Sequence, residues 1–267
     1  MTKKSKIIMI VFLVITIMII TILQKAEEKT VITSAKTNDI KKIEWGIKRN
    51  SNHEQPDVGN KNKEVLERLN GICLGSKEKK NIYLTFDEGY EAGYTPKILE
   101  TLKNNNVKAT FFITAHFVNT QPDLVKQIIE EGHIVGNHTV NHKSMPSLSD
   151  KEIRKEVMEL HSAIYQKFGY DMKYIRPPKG EFSEKSIEST NSLGYKTVMW
   201  SFAYEDWNEN KQPSEEKAKE IILKNVHNGE IMLLHGNSKT NTDILDSVIK
   251  EIQKLGYEFK SLDEFEK

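Results

Sequence analysis

The chain has 267 residues, 37% of them hydrophobic and 29% charged, which suits one globular domain with appendages. Its formal net charge is +1 and no Lys/Arg block interleaves with aromatics, so nothing points to a nucleic-acid partner. Cys73 is the only cysteine, which excludes an intramolecular disulfide; it reads as a small buried hydrophobe.

Ile7 to Leu23 is an unbroken run of apolar residues and Thr, preceded by Lys3, Lys4 and Lys6. Such a run is long for a signal-peptide core and just enough to span a bilayer as a helix. The basic flank puts the N-terminus inside and the remainder outside. No small-x-small cleavage site follows promptly, which favours an uncleaved anchor over 1–24 rather than a cleaved signal. The expected location is the extracytoplasmic face of the membrane, or the exterior if the segment is cut. Residues 24 to about 62 are polar, with an isolated Trp45 island, so 25–79 reads as a linker and N-terminal extension whose Trp45 segment packs on a domain over 80–267.

From residue 81 short apolar runs alternate with amphipathic stretches. Strands are expected at 82–86, 109–114, 133–135, 173–176, 196–200, 231–234 and 257–260. Between them lie helix signals: Thr95 as a cap with Pro96 following, Ser149 with Glu152 as a capping box closed by Gly169, and Ser214 ahead of Glu215 and Glu216. Leu193-Gly194 and Leu255-Gly256 read as helix ends. Seven strands alternating with helices imply a parallel α/β sheet or barrel, in which chemistry gathers at the carboxyl ends of the strands.

The polar residues just beyond those ends are Asp87 and Glu88, then His138 and His142, Arg176, Glu205-Asp206-Trp207, and His235. His138 and His142 are four apart, and on a helical turn both imidazoles share one face and suit a divalent metal such as Zn²⁺. Glu88 is the candidate third ligand, because a turn after residue 86 could aim both adjacent acids at one point. Arg176, before the stiff Pro177-Pro178-Lys179-Gly180, is either a surface arginine or a group that orients Asp87. His235 is either a satisfied core residue or an acid/base opposite Asp87, with Asp206 able to raise its pKa. His53, His116, His133, His161 and His227 lack such company and read as structural or surface residues.

These residues, in this order, resemble the polysaccharide deacetylases that share the NodB homology domain, carbohydrate esterase family four. The motifs are Thr85-Phe86-Asp87-Glu88, His138-Thr139-Val140-Asn141-His142, Arg176-Pro177-Pro178-Lys179-Gly180, Asp206-Trp207 and Leu233-Leu234-His235. A closer likeness is to the delta-lactam-biosynthetic de-N-acetylase branch of spore-forming bacteria, carried by residues 45–49, 85–95 and 200–207. The resemblance implies a distorted, incomplete (β/α) barrel with about seven parallel strands, a divalent metal with Zn²⁺ foremost, and a peptidoglycan glycan substrate. It makes Asp87 the general base, His138 and His142 the metal ligands, and His235 the proton donor. Asp206 tunes His235, Arg176 holds Asp87, the backbone near Lys179 assists the oxyanion, and Trp207, Tyr90 and Lys179 touch substrate. Glu88 stands where the family carries an aspartate ligand, Ala203 replaces another acid, and Lys179 replaces a common tyrosine and favours an anionic group such as a lactyl carboxylate.

The expected activity is removal of the N-acetyl group from muramic acid residues, the step before lactam closure in spore cortex. The alternatives are the same chemistry on N-acetylglucosamine or chitooligosaccharides, and a catalytically impaired glycan-binding module. No obligate protein partner is evident, and no Gly-x-Ser-x-Gly elbow supports a serine hydrolase.

Overall fold

The computed structural model describes residue 4, residues 16–25 and residues 40–267. Most of the expected membrane segment lies outside the described residues; its described part, 16–25, is helical (α1). No helix among the described residues is long and apolar enough to cross a membrane. The chain divides into two units, Met1–Lys41 and Lys42–Lys267, and the second carries the sheet.

All seven apolar runs become strands of one parallel sheet. At its centre is β2 (Asn81–Glu88), flanked by β3 (Thr110–Ile113) and β8 (Glu230–His235), with β9 (Glu258–Phe259) pairing with its first residues. Beyond β3 come β4 (Ile134–Asn137), β5 (Tyr174–Ile175) and β7 (Lys196–Thr197). Every residue of β2 is buried, which is why its middle, Ile82 to Phe86, is apolar apart from Thr85 rather than alternating with polar residues.

The sheet does not close through full strands. Single bridges join Ile72 to Val198, Leu74 to Glu230 and Phe202 to Met232, so residues 72–74 sit in the seam between β7 and β8. This is the distorted, incomplete barrel, and the N-terminal extension is part of its wall. That extension is more structured than a linker. Its β1 (Ile43–Glu44) pairs antiparallel with β6 (Glu181–Phe182), and α2 (Asn60–Arg68) follows. Leu66 is the one fully buried residue of α2, which explains why its polar sequence carried no helix signal. The Trp45 indole N–H donates to the Trp200 carbonyl at 2.9 Å, beside Leu66, Cys73, Phe182 and Met199.

Helices α3 (Thr95–Asn104), α4 (Ala115–Thr120), α5 (Pro122–Glu130), α6 (Asp150–Phe168), α7 (Glu184–Ser192), α8 (Glu215–Asn225) and α9 (Lys239–Lys254) connect the strands. Ser149 and Glu152 form the capping box of α6, Gly169 closes it at φ 66°, and Ser214 caps α8. Thr95 is a correction. Tyr94 is the N-cap of α3 and Thr95 its first residue, because the threonine hydroxyl is turned to the Glu88 carboxylate, to which it donates at 3.3 Å.

Side chains alternate along β2. Ile82, Leu84 and Phe86 join the core beneath the helices, while Tyr83 enters a second core inside the barrel with Phe112, Tyr174, Val198 and Ile231. Space inside is tight: a Cβ on Gly136 would lie 2.4 Å from the Phe112 ring. Gly136→Ala is therefore expected to destabilise the domain by about 1–3 kcal/mol through overpacking. A thermal melt reads this as a drop of roughly 3–10 °C, and an unchanged midpoint contradicts it.

Candidate active site

Strand register brings the predicted residues to one mouth. Asp87 pairs directly with His235 across β2 and β8. Glu88, Ile113, Asn137 and Ile175 align across β2, β3, β4 and β5, so His138 and Arg176 each emerge one residue past the sheet edge.

Asp87 is 8% exposed and cannot stay charged there without a partner. Arg176 supplies it. The buried guanidinium lies 4.2 Å over the Phe112 ring and 5.7 Å from the Trp200 ring; its Nη1–H donates to Asp87 Oδ1 at 2.8 Å and its Nε–H to the Val198 carbonyl at 3.3 Å. Burial pushes the Asp87 carboxyl up, but Arg176, His138 and His235 outweigh it and hold the group below the usual carboxylate range. Asp87 is ionised at neutral pH.

The expected helical turn at His138 and His142 is not there. Thr139 and His142 take left-handed φ values of 67° and 53°, and the segment is a loop. Asn137 Oδ1 accepts from the Thr139 N–H at 2.8 Å, and Thr139 Oγ1 accepts from the His142 N–H at 3.1 Å. The loop still delivers the two rings together, with Nε2 atoms 3.2 Å apart, and His138 Nε2 lies 3.5 Å from Asp87 Oδ2. His138 Nδ1 lies 2.8 Å from the Arg176 carbonyl; since a carbonyl can only accept, Nδ1 carries the proton and Nε2 is left bare. Burial pulls both histidines down, His142 to about 4 with His138 and Lys179 adding to the effect.

Two neutral imidazoles beside an ionised carboxylate are the donor types a divalent cation takes, and the His138 Nδ1–H bond to a carbonyl is the usual support of a ligating histidine. Among the described residues no three such donors already stand in ligating geometry. A cation here would rest on His138 and His142, with water alongside.

Glu88 requires a correction. β2 runs through residue 88 rather than turning before it, so the strand's alternation sends Glu88 away from Asp87, toward the helices with Leu84 and Phe86. It is fully buried; Oε1 accepts from Thr95 Oγ1 and packs where a Cβ on Gly236 would sit, 1.9 Å away. Burial first, then Glu91, push its carboxyl well above the ordinary range. Glu88 is thus placed with α3 rather than with the histidines.

Opposite Asp87, His235 Nδ1–H donates to Asp206 Oδ1 at 2.7 Å and the His235 N–H to Asp206 Oδ2 at 2.9 Å. Burial lowers His235, but Asp206 and then Asp87 more than reverse this, so its pKa is raised. Asn241, at the start of α9, donates to Asp206 Oδ2 at 2.5 Å and accepts from the Tyr204 hydroxyl. Asn241 belongs to no motif and has no local pattern that marks it.

Asp87, both histidines and His235 line one open pocket of about 690 Å³ with Lys179, Trp200, Tyr204 and Leu233. At its lip Tyr90 and Trp207 are 45% and 54% exposed, and Asn237 joins them by donating to the Tyr90 hydroxyl at 2.9 Å and the Trp207 carbonyl at 3.0 Å. Lys179 is exposed at the pocket with a left-handed φ of 60°; nearby, the Gly180 N–H is taken by the Pro177 carbonyl at 3.2 Å. The carbonyl of Ala203 accepts from Arg49 Nη2 at 2.8 Å, a second tie between the extension and the site. Four other histidines serve the frame: His133 Nδ1 accepts from the Ala109 N–H, His161 bonds Tyr195, His227 bonds Ser201, and His53 bonds the Val226 carbonyl; His116 is exposed.

Comparison with known proteins gives consistent likenesses. The family model described as polysaccharide deacetylase matches residues 75–198. The chain is 44% identical over 228 residues to the peptidoglycan-N-acetylmuramic acid deacetylase PdaA of Bacillus subtilis, covering 84% of this chain and 87% of that one. The solved structure of Bacillus subtilis PdaA, a family 4 carbohydrate esterase, matches with a TM-score of 0.82 and 42% identity, over 85% of this chain and 97% of that one. A peptidoglycan-N-acetylglucosamine deacetylase of Bacillus cereus is 34% identical over 201 residues, 74% of this chain and 72% of the other.

Proposed function

The chain belongs to the polysaccharide deacetylase family, and from that premise we propose that it hydrolyses the N-acetyl group of muramic acid residues in peptidoglycan. The observation that carries this is the 44% identity to the muramic acid deacetylase over 84% of the chain, against 34% to a glucosamine-specific relative. The pocket supports it, because an ionised Asp87 and a His235 whose pKa is raised by Asp206 face the same space from adjacent strands.

Deacetylation needs a base to activate water and an acid to protonate the departing amine. Asp87 takes the proton from water at Oδ2, its other oxygen being held by Arg176. The water oxygen bonds to the acetamide carbonyl carbon, and His235 Nε2, on the far side of the ring from Asp206, delivers a proton to the amide nitrogen, so that the C–N bond breaks to give the neutral amine and acetic acid, which ionises to acetate. Tyr90 and Trp207 offer the sugar exposed aromatic faces, and the Lys179 ammonium is the group for the lactyl carboxylate. The family is generally metal-dependent; Zn²⁺ on His138 and His142 would polarise the acetamide carbonyl and acidify water, which so weak a base as an arginine-paired aspartate needs.

We place the enzyme outside the membrane, anchored by the apolar run 7–23, with the lactam of spore cortex as the eventual product; the basic flank and the likeness to the delta-lactam branch support this.

Two expected results follow from the geometry. First, turnover should fall as pH rises through the raised His235 pKa, where the acid loses its proton. In Asp206→Asn the raising charge is gone, so this basic limb should move to lower pH in a profile of kcat; an unmoved limb contradicts the assignment. Second, Glu88→Gln should leave Zn²⁺ affinity unchanged in a calorimetric titration, since the side chain faces α3. A tenfold loss would make Glu88 a ligand after all.

A further inference from the structure

The two histidines are useful together only because of a loop that the backbone does not favour. Thr139 and His142 both sit in the left-handed region, which β-branched and bulky residues avoid and adopt only when their surroundings impose it. The hydrogen bonds within the loop tie residue 137 to 139 and 139 to 142, but they do not attach its far limb to the rest of the molecule. One buried side chain does.

Glu156 lies on α6 among Ile153, Val157, Leu160 and Ile164, the apolar face of that helix. A carboxylate in such a stripe is costly unless fully partnered. Its partners are all in the histidine loop. Oε2 accepts from the Asn141 backbone N–H at 2.7 Å, Oε1 accepts from Asn141 Nδ2 at 2.8 Å, and Lys143 Nζ lies 3.3 Å from Oε1. The Glu156 carbonyl accepts from the Val140 N–H at 3.0 Å. One residue therefore grips positions 140, 141 and 143, on both sides of His142.

We propose that Glu156 is a positioning residue for the metal site: its carboxylate fixes the loop in the strained shape that brings His142 Nε2 to His138 Nε2. The proposal rests on the reading of His138 and His142 as metal ligands. Glu156 touches neither imidazole and acts through the backbone and side chain of Asn141. α6 is thereby part of the site, although it contributes no residue to the pocket.

The test uses purified, metal-free protein and its Glu156→Ala, Glu156→Gln and Asn141→Ala variants. Zn²⁺ affinity is measured by competition with a chromophoric chelator, and amide hydrogen exchange is followed at residues 139–143. Glu156→Ala should weaken Zn²⁺ binding about 10- to 100-fold, the range found when a group supporting a ligand is removed, and should deprotect the Asn141 amide. Glu156→Gln, which keeps a side-chain oxygen for that amide, should recover most of the affinity. Asn141→Ala, which keeps the backbone contact, should lose less than Glu156→Ala. If Glu156→Ala is poorly folded, the Gln and Asn141 variants and the exchange data still decide. Wild-type Zn²⁺ affinity in Glu156→Ala overturns the proposal while leaving the metal site intact. Equal losses in Glu156→Ala and Glu156→Gln overturn it as well, since charge rather than position would then be at work. No Zn²⁺ binding by the wild-type protein removes the metal reading itself and the proposal with it.

Discussion

Asp87→Asn should lower kcat/KM for deacetylation by about 10³-fold, within the range that a positioned general base contributes. The change is nearly isosteric, so the Arg176 contact to an oxygen at Oδ1 can persist and the fold should survive. What disappears is the charge that takes the proton. His138 and His142 are untouched, so Zn²⁺ should still bind, and retained binding separates loss of the base from loss of the site. Near-normal turnover in this variant would remove Asp87 from its role and leave the mouth of the barrel without a base.

Arg176→Met is expected to affect stability and rate together. The guanidinium is completely buried between Phe112 and Trp200, and Asp87 is almost as deeply buried beside it. Removing one member of a buried ion pair leaves the other charge without its partner, which typically costs about 3–5 kcal/mol. For a domain of this size that is a fall in thermal midpoint of roughly 10 °C or more. The freed Asp87 carboxyl should also rise in pKa, since burial then acts with less opposition. The acid limb of the rate profile should therefore move to higher pH, because the base is ionised only above its own pKa. Arg176→Lys keeps a charge but not the planar fork, and should recover stability better than rate. A melt and a pH profile on the same samples check both parts. Unchanged values in Arg176→Met would show that the pair matters to neither.

The seven strands were legible because a strand buried on both faces needs an apolar run wherever it occurs, and Asn81–Glu88 is buried throughout. The mouth of the barrel was legible for a related reason. Parallel strands share a direction, so residues that end different strands, such as Asp87 and His235, meet without any local signal. Residues whose place is set by contacts elsewhere in the chain carry no local signal. Two adjacent acids at a strand end suggest a turn that aims both at one point, but pairing with β3 keeps the strand regular through Glu88 and the pleat turns its side chain away. His138 and His142 come together through two left-handed residues, which a spacing of four does not reveal. Asn241 and α2 are fixed by distant packing and have no pattern of their own. Glu156 is different. A glutamate between Ile153 and Leu160 on the apolar stripe of a helix stands out in the sequence, and its spacing alone marks it for attention.

Amino-sugar analysis of treated glycan shows which sugar loses its acetyl group. The purified protein is incubated with peptide-stripped peptidoglycan strands and, separately, with chitooligomers, each with Zn²⁺ or with a chelator, and acetate release is followed before hydrolysis of the glycan. The expectation for a muramic acid deacetylase is acetate from the peptidoglycan strands, suppressed by chelator, with the new free amines on muramic acid residues. Acetate from chitooligomers alone, free amines on glucosamine residues only, or no release from any glycan with metal present would contradict it.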